Sequence, residues 1–128
     1  MEKRQEVYTS GSPWEDQVGY SRVVRIGNII EVAGTAPLQS DLSSSNAYLQ
    51  AKSCLKIIQE SLKKVGANLE DVVRTRMYVT DISRWKEYGK AHQEFFGDIK
   101  PVTSMVEVAA LIDPKMLIEI EATAVVTH

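Results

Sequence analysis

The earliest regular pattern in the chain is a pair of short segments rich in β-branched residues. Residues 21–26 alternate apolar and polar side chains, residues 29–33 read Ile-Ile-Glu-Val-Ala, and Gly27-Asn28 separates the two. Two such segments around a two-residue Gly/Asn connection are typical of a β-hairpin. The residues before this hairpin, with Gly11-Ser12-Pro13 among them, are interpreted as an N-terminal arm containing a turn.

A different periodicity follows. From Ala51 to Val65 the apolar residues recur every three or four positions, and lysines and Glu60 occupy the other side, which predicts an amphipathic helix. Asn46 is a candidate N-cap, and Gly66 suits the left-handed conformation that often follows a helix end.

The second half of the chain adds one helix and three strands. Residues 71–80 predict a strand, residues 83–96 a helix, and residues 102–109 and 116–126 two more strands around a turn with Asp113-Pro114. The predicted order is β-β-α-β-α-β-β, an α+β arrangement. Two helices are too few to cover both faces of one sheet, so we expect one face to meet something other than helices.

Alternation along the last three strands predicts which side chains lie on each face. The set expected against the helices is Val73, Thr75, Met77, Val79, Val102, Ser104, Val106, Val108, Ile118, Ile120, Ala122 and Ala124. The set expected on the uncovered face is Arg74, Arg76, Tyr78, Thr103, Met105, Glu107, Glu119, Glu121, Thr123 and Val125. This mixture of charged and apolar groups suits a ligand cleft or the interior of an oligomer.

Composition narrows the class of protein. A chain of 128 residues fits a single domain over 1–128, and its 44% hydrophobic and 25% charged content argues against disorder. No segment reaches the roughly 18 apolar residues of a membrane span. The net charge of −2 without a basic stripe gives no reason to expect a nucleic-acid partner. With one cysteine, Cys54, and no signal-peptide pattern, we expect a cytoplasmic protein.

Several segments resemble one known family. They are residues 19–21 (GYS), 32–37 (VAGTAP), 66–73 (GANLEDVV), 101–111 (PVTSMVEVAAL) and 117–122 (LIEIEA). In this order and spacing they resemble the RidA/YjgF family of reactive-intermediate deaminases, historically also called L-PSP endoribonucleases. The resemblance covers nearly the whole chain. It implies a chorismate-mutase-like fold with two helices on one face of a mixed sheet, and a homotrimer with ligand clefts between neighbouring subunits.

The resemblance also implies an activity and a set of site residues. The best-known branch of the family hydrolyses enamines and imines without metal or cofactor. By position, Tyr20 corresponds to the family's cleft tyrosine, Gly34 to the glycine whose backbone faces the ligand, and Glu119 to the glutamate that positions water. The remaining candidates for substrate contacts are Ala33, Thr35, Arg76, Thr103 and Met105. Thr103 stands where the family has its carboxylate-binding arginine, and Met105 stands where it often has a cysteine.

Each candidate also has a structural interpretation. Glu119 could pair with Arg74 or Arg76 across the sheet, as opposite charges on neighbouring strands do. His92 and Cys54 are interpreted as structural, and Trp14 and Trp85 as packing anchors. The spacing of His, Cys, Asp and Glu suggests no metal site.

Two alternative functions stay open beside the deaminase. One is a non-catalytic trimer that binds a small molecule or has a regulatory role. The other is an endoribonuclease or translation inhibitor, against which the acidic composition argues.

Overall fold

Six strands and three α-helices form the fold that the computed structural model describes for residues 5–127. In chain order they are β1 (Gln5–Tyr8), α1 (Pro13–Val18), β2 (Val23–Ile26), β3 (Ile29–Thr35), α2 (Ala47–Lys64), β4 (Val72–Val79), α3 (Trp85–Phe96), β5 (Val102–Glu107) and β6 (Ile118–Val125). Single turns of 3-10 helix lie at Gln39–Asp41, Leu69–Asp71 and Ile82–Arg84. None of the helices within residues 5–127 is long and apolar enough to cross a membrane.

The strands form one mixed sheet in the order β1-β2-β3-β6-β4-β5. All neighbouring pairs are antiparallel except β4 and β5, which run parallel. The predicted α+β class and the hairpin with its turn at Gly27-Asn28 are therefore confirmed. This arrangement puts β6, the last strand, in the middle of the sheet.

The N-terminal arm is more ordered than the sequence indicated. Its residues 1–4 lie outside the described part, but residues 5–8 form β1 and pair along their whole length with β2. Helix α1 then begins at Pro13, where the Ser12 side chain accepts a hydrogen bond from the Trp14 amide, and ends at Gly19 with φ of 91°. Both elements are too short to show a periodicity, which is why the pattern of the chain did not predict them.

Helix α2 covers the middle of the sheet as predicted. The Asn46 side chain caps it by accepting from the Leu49 amide at 3.0 Å, and Gly66 follows it with φ of 81°. Its buried side includes Ala51, Cys54, Ile58 and Leu62, and burial raises the pKa of the Cys54 thiol well above its usual range. The core also takes in Tyr88, Ala91 and Phe96 of α3. Both long helices thus lie on one side of the sheet, its helix-covered face.

The face prediction for β4 is correct except at its start. Thr75, Met77 and Val79 are buried as expected, but Val73 is 46% exposed and Val72 is buried in its place. The register between β4 and β6 shifts by one residue between Val72 and Arg74. Such a bulge leaves Val73 without a partner and breaks the alternation there.

The face prediction for β5 is wrong, whereas that for β6 is confirmed. In β6, Ile118, Ile120, Ala122 and Ala124 are buried as expected. In β5, Thr103 and Met105 pair in register with the buried Thr75 and Met77 of β4, so they lie on the helix-covered face. Val102, Ser104 and Val106 are all exposed. Because β5 is an edge strand, its apolar residues need not face the core.

The other side of the sheet, the open face, is covered by neither of the two long helices, α2 and α3. It displays the arginines of β4, the glutamates of β6 and several apolar side chains. Five of these apolar side chains are 46–57% exposed: Val7, Ile26, Ile29, Val102 and Val106. Isolated exposed apolar residues are ordinary, but five on one sheet face are typical of a surface that another molecule covers.

Candidate functional site

The carboxylate of Glu119 lies directly against the backbone of Gly34. Gly34 belongs to the part of β3 where the pairing with β6 shifts by one residue, between Val32 and Thr35. A Cβ atom at Gly34 would overlap Oε2 of Glu119. Glycine is therefore required at this position for the close approach of the carboxylate, and not for an unusual backbone conformation.

Arg22 lies on the other side of the Gly34 peptide. Its side chain exposes only 9% of its surface, and its Nη2 donates a hydrogen bond to the Gly34 carbonyl at 2.7 Å. The Nε atom is buried without a hydrogen-bond partner, and the guanidinium lies 5.9 Å from the centre of the Tyr20 ring. The sequence analysis missed Arg22, because an arginine just before a strand resembles an ordinary polar strand end.

These residues line one cavity of about 690 Å³. Tyr20, Arg22, Gly34 and Glu119 form part of its wall. The rest is largely apolar and comes from α1, the segment after β3, Ile57 of α2 and the segment before β6: Pro13, Trp14, Val18, Ala36, Pro37, Leu38, Leu42, Ile57, Ile112 and Met116. The cavity is large enough for a small organic molecule.

Helix α1 is fixed at the edge of this cavity by a buried carboxylate. Glu15 is 4% exposed and accepts hydrogen bonds from the amide of Ser10 at 2.9 Å and from its hydroxyl. Trp14, one residue earlier, is 47% exposed and lines the cavity. The prediction that Trp14 and Trp85 are packing anchors is wrong, since Trp85 is also 54% exposed.

The protonation of Glu119 is shifted by its surroundings. Burial raises the pKa of its carboxyl group above the usual value, and the nearby charge of Glu121 raises it further, while Arg22 acts in the opposite direction. Within residues 5–127, Glu119 forms no salt bridge. A carboxylate that is partly buried and not paired can exchange a proton with a ligand.

The salt bridge expected for Glu119 belongs to Glu121 instead. Arg76 Nη1 lies 3.8 Å from Glu121 Oε1, and the Tyr78 hydroxyl donates to the same oxygen at 3.0 Å. Burial, followed by this hydrogen bond, raises the pKa of Tyr78. Arg76 is thus held on the open face and does not line the cavity beside Glu119.

Two further candidates adjoin the cavity without lining it. Thr35 is fully buried, and its hydroxyl donates to the Ala33 carbonyl at 2.7 Å. Ala33 lines a separate, more open cavity of about 740 Å³ together with Tyr20 and Glu121. Any contact of Thr35 with a ligand would therefore involve its backbone.

Thr103 and Met105 lie apart from this group. They are on β5, two strands away from β6, and on the helix-covered face. Thr75 donates to the Thr103 hydroxyl at 2.6 Å and lies 2.8 Å from Nε2 of His92. Burial lowers the pKa of His92, which favours its neutral form in this chain of hydrogen bonds.

Comparison with known proteins identifies the family. The sequence model of the family described as Endoribonuclease L-PSP matches residues 5–126. The chain belongs to this family, RidA/YjgF. A RutC family protein from Pyrococcus abyssi is 35% identical over 109 residues, which are 82% of this chain and 84% of the relative. The human protein named 2-iminobutanoate/2-iminopropanoate deaminase is 32% identical over 110 residues, 83% of this chain and 79% of the relative.

Solved structures of RidA/YjgF proteins share the fold. The crystal structure of Rv2704, a member of the YjgF/YER057c/UK114 family from Mycobacterium tuberculosis, is 52% identical. It superposes with a TM-score of 0.90 over 96% of this chain and 100% of that one. A Thermotoga maritima protein of the same fold is 27% identical, with a TM-score of 0.81 and full coverage of both chains. The chorismate-mutase-like fold that the resemblance implied is therefore confirmed.

Proposed function

We propose that this protein is a cofactor-free hydrolase that deaminates small enamines or imines, in clefts between the subunits of a cytoplasmic homotrimer. The observation that carries the proposal is the position of Glu119. Its carboxylate has a raised pKa and no salt bridge within residues 5–127, and it lies against the Gly34 backbone in the wall of a ligand-sized cavity. The name of the human relative, an imine deaminase, supports the same chemistry.

In the proposed reaction Glu119 acts as a general base and then as a general acid. It accepts a proton from water as the water oxygen attacks the imine carbon, and the electrons of the C=N bond move to nitrogen. The protonated Glu119 then gives that proton to the nitrogen. Glu119 next takes the proton of the new hydroxyl group and gives it to the amine nitrogen, so that the C–N bond breaks, ammonia leaves and a carbonyl group forms. A carboxyl group with a raised pKa suits both steps, because it takes up a proton more readily than an ordinary carboxylate and can give it up again.

The other cavity residues hold the substrate. Tyr20, Arg22 and Gly34 form part of the wall that would contact it, and the Thr35 backbone follows Gly34 directly along the chain. Thr103 and Met105 can contribute only if the ligand site spans two subunits, because within one chain they face away from Glu119. The apolar open face supports a trimer in which such shared clefts arise.

An assay with imines generated in place tests the proposal. Amino-acid oxidases convert a panel of amino acids to 2-imino acids, and the protein should accelerate their conversion to 2-oxo acids above the spontaneous rate. Glu119→Gln should lower turnover about 10²- to 10⁴-fold, while circular dichroism and the mass in solution stay unchanged. If the variant loses thermal stability in proportion to its activity, Glu119 is structural.

A non-catalytic binding trimer is the second candidate, favoured by the threonine at position 103. It predicts that ligands bind in the cavity but that no imine in the panel is hydrolysed faster than without protein. The endoribonuclease activity in the family's description has less support here, because the net charge of −2 gives no basic surface for phosphates.

A further inference from the structure

Arg22 has hydrogen-bonding capacity that the protein itself does not use. A guanidinium carries five N–H donors, but within residues 5–127 the Arg22 side chain makes one hydrogen bond, to the Gly34 carbonyl. Its Nε is buried without a partner, and no Asp or Glu of this part of the chain lies within salt-bridge distance of it. A buried guanidinium with unfilled donors and no direct ion pair is unfavourable, so a ligand that supplies an acceptor with negative charge would be bound well.

The composition of the cavity limits the charge of that ligand. Among the residues of 5–127 that line it, Arg22 is the only cation, whereas Glu15, Asp113 and Glu119 also line it. A dianion such as phosphate would meet repulsion that one arginine does not offset. A single carboxylate matches the planar guanidinium through paired hydrogen bonds and brings one negative charge.

The apolar part of the cavity wall favours an apolar group in the same ligand. Trp14, Val18, Leu38 and Ile112 line the cavity and are 47–70% exposed in the single chain. An aliphatic or aromatic group placed there would remove these side chains from water, which stabilises the complex in proportion to the apolar area covered. A short and entirely polar acid would leave this surface uncovered.

We propose that Arg22 binds the carboxylate of the ligand, and that the cavity takes small monocarboxylates with an apolar side chain. The inference rests on the proposed function in placing the ligand beside Glu119. Arg22 would thereby bind the carboxylate in place of the family's arginine, whose position Thr103 occupies in this chain. It would do so from the residue just before β2, and not from β5. It follows that this protein selects larger apolar substrates over short ones.

Binding of an unreactive 2-oxo acid tests the role of Arg22 apart from catalysis. We expect 4-methyl-2-oxopentanoate to bind more tightly than pyruvate in calorimetric titration, whereas 4-methylpentan-2-one, which lacks the carboxylate, and inorganic phosphate should bind weakly. Arg22→Met should weaken the 2-oxo acid at least about tenfold, the usual effect of losing a charge-assisted hydrogen bond. Arg22→Lys should recover part of the affinity.

Arg25→Met is the matched control. Arg25 is on β2, three residues from Arg22, and its Nε and Nη1 donate to the carbonyls of Gly27 and Val65, outside the cavity. This variant should bind the 2-oxo acid as the wild type does. A folded Arg22→Met protein with wild-type affinity would overturn the inference, as would a wild type that does not bind the acid at millimolar concentration.

A measurement on the unmodified protein covers the case in which Arg22→Met does not fold. The Nε–H resonance of Arg22 in a ¹⁵N-labelled sample should shift during titration with the 2-oxo acid and stay in place with the ketone. An unmoved resonance at saturation contradicts the inference. If imine turnover is observed but does not depend on Arg22, the inference is refuted and the proposed function stands. If the 2-oxo acid binds through Arg22 but no imine is turned over, the proposed function is refuted and the inference stands.

Discussion

Glu119 and Glu121 share one strand and one face of the sheet, but their surroundings give them different properties. Glu121 is paired with Arg76 and accepts a hydrogen bond from Tyr78. Glu119 has no such partner within residues 5–127 and lies against Gly34. Two carboxylates with different environments can therefore divide the work, one stabilising the open face and the other handling protons.

The proximity of Glu119 and Glu121 predicts how the activity depends on pH. Burial first, and the charge of Glu121 second, raise the pKa of Glu119. In the proposed reaction turnover needs the ionised Glu119, so kcat/KM should fall on the acidic side as the pH passes down through that pKa. Glu121→Gln removes the repelling charge, lowers the pKa of Glu119 and should move this acidic limb to lower pH. Rate profiles of the two proteins test this, and an unmoved or upward-shifted limb would contradict it.

The burial of Arg22 in the cavity wall could not be predicted from its residue type. Tyr20, Gly34 and Glu119 were placed in the site through the family resemblance, and the structure brings all three to one cavity. Arg22 was overlooked because a charged residue at a strand end is usually solvated. The cavity that it lines is built partly from α1 and from the segment after β3, and neither has a pattern that predicts its position.

At the scale of elements, β5 shows that the alternation of side chains along a strand does not by itself predict which of its two sides is buried. The pattern correctly separates its residues into two sets, but it assigns the wrong set to the core. Val102 and Val106 look like core residues in the sequence, yet they are 57% and 46% exposed. In an edge strand, an apolar side can be reserved for a neighbouring molecule, and the sequence of one chain does not distinguish that use from burial in the core.

Hydrogen bonds between β4, β5 and α3 give a prediction at this scale. Thr75 is fully buried and its hydroxyl connects Thr103 and His92. Thr75→Val should lower the free energy of unfolding by about 1–3 kcal/mol, because His92 Nε2 is left without a partner in a largely buried site. Thr103→Val should have a smaller effect, about 0.5–1.5 kcal/mol, because Thr103 is exposed and Thr75 keeps its bond to His92.

Urea unfolding of the two valine variants measures this difference. A loss at Thr103→Val as large as that at Thr75→Val would show that the Thr75–Thr103 bond, and not the contact with His92, stabilises the junction. Valine replaces the threonine hydroxyl with a methyl group of similar size, so a lower midpoint without a change in slope reports on the lost hydrogen bonds.

At the scale of the whole molecule, the open face carries exposed apolar side chains that the packing of a single chain does not cover. Its five apolar side chains lie beside Arg74, Arg76 and Glu121, so that it offers both an apolar surface and charges for specific pairing. Light scattering at micromolar concentration should give about three times the chain mass of 14.3 kDa. A clean monomer would contradict both the trimer and the shared cleft.

Val106→Lys tests whether that face is where the subunits meet. Val106 is 46% exposed in the single chain, so a lysine there should not disturb the fold. In a trimer interface, however, it would bury an unpaired charge, which is strongly unfavourable. We expect a folded monomer. Trp85→Lys, a similar change at a 54% exposed residue of α3, should leave the trimer intact.

If the ligand site spans two subunits, the Val106→Lys monomer should also lose imine turnover, although Arg22, Gly34 and Glu119 are all present in each chain. Full activity in that monomer would place the complete site within one subunit and leave Thr103 and Met105 outside it.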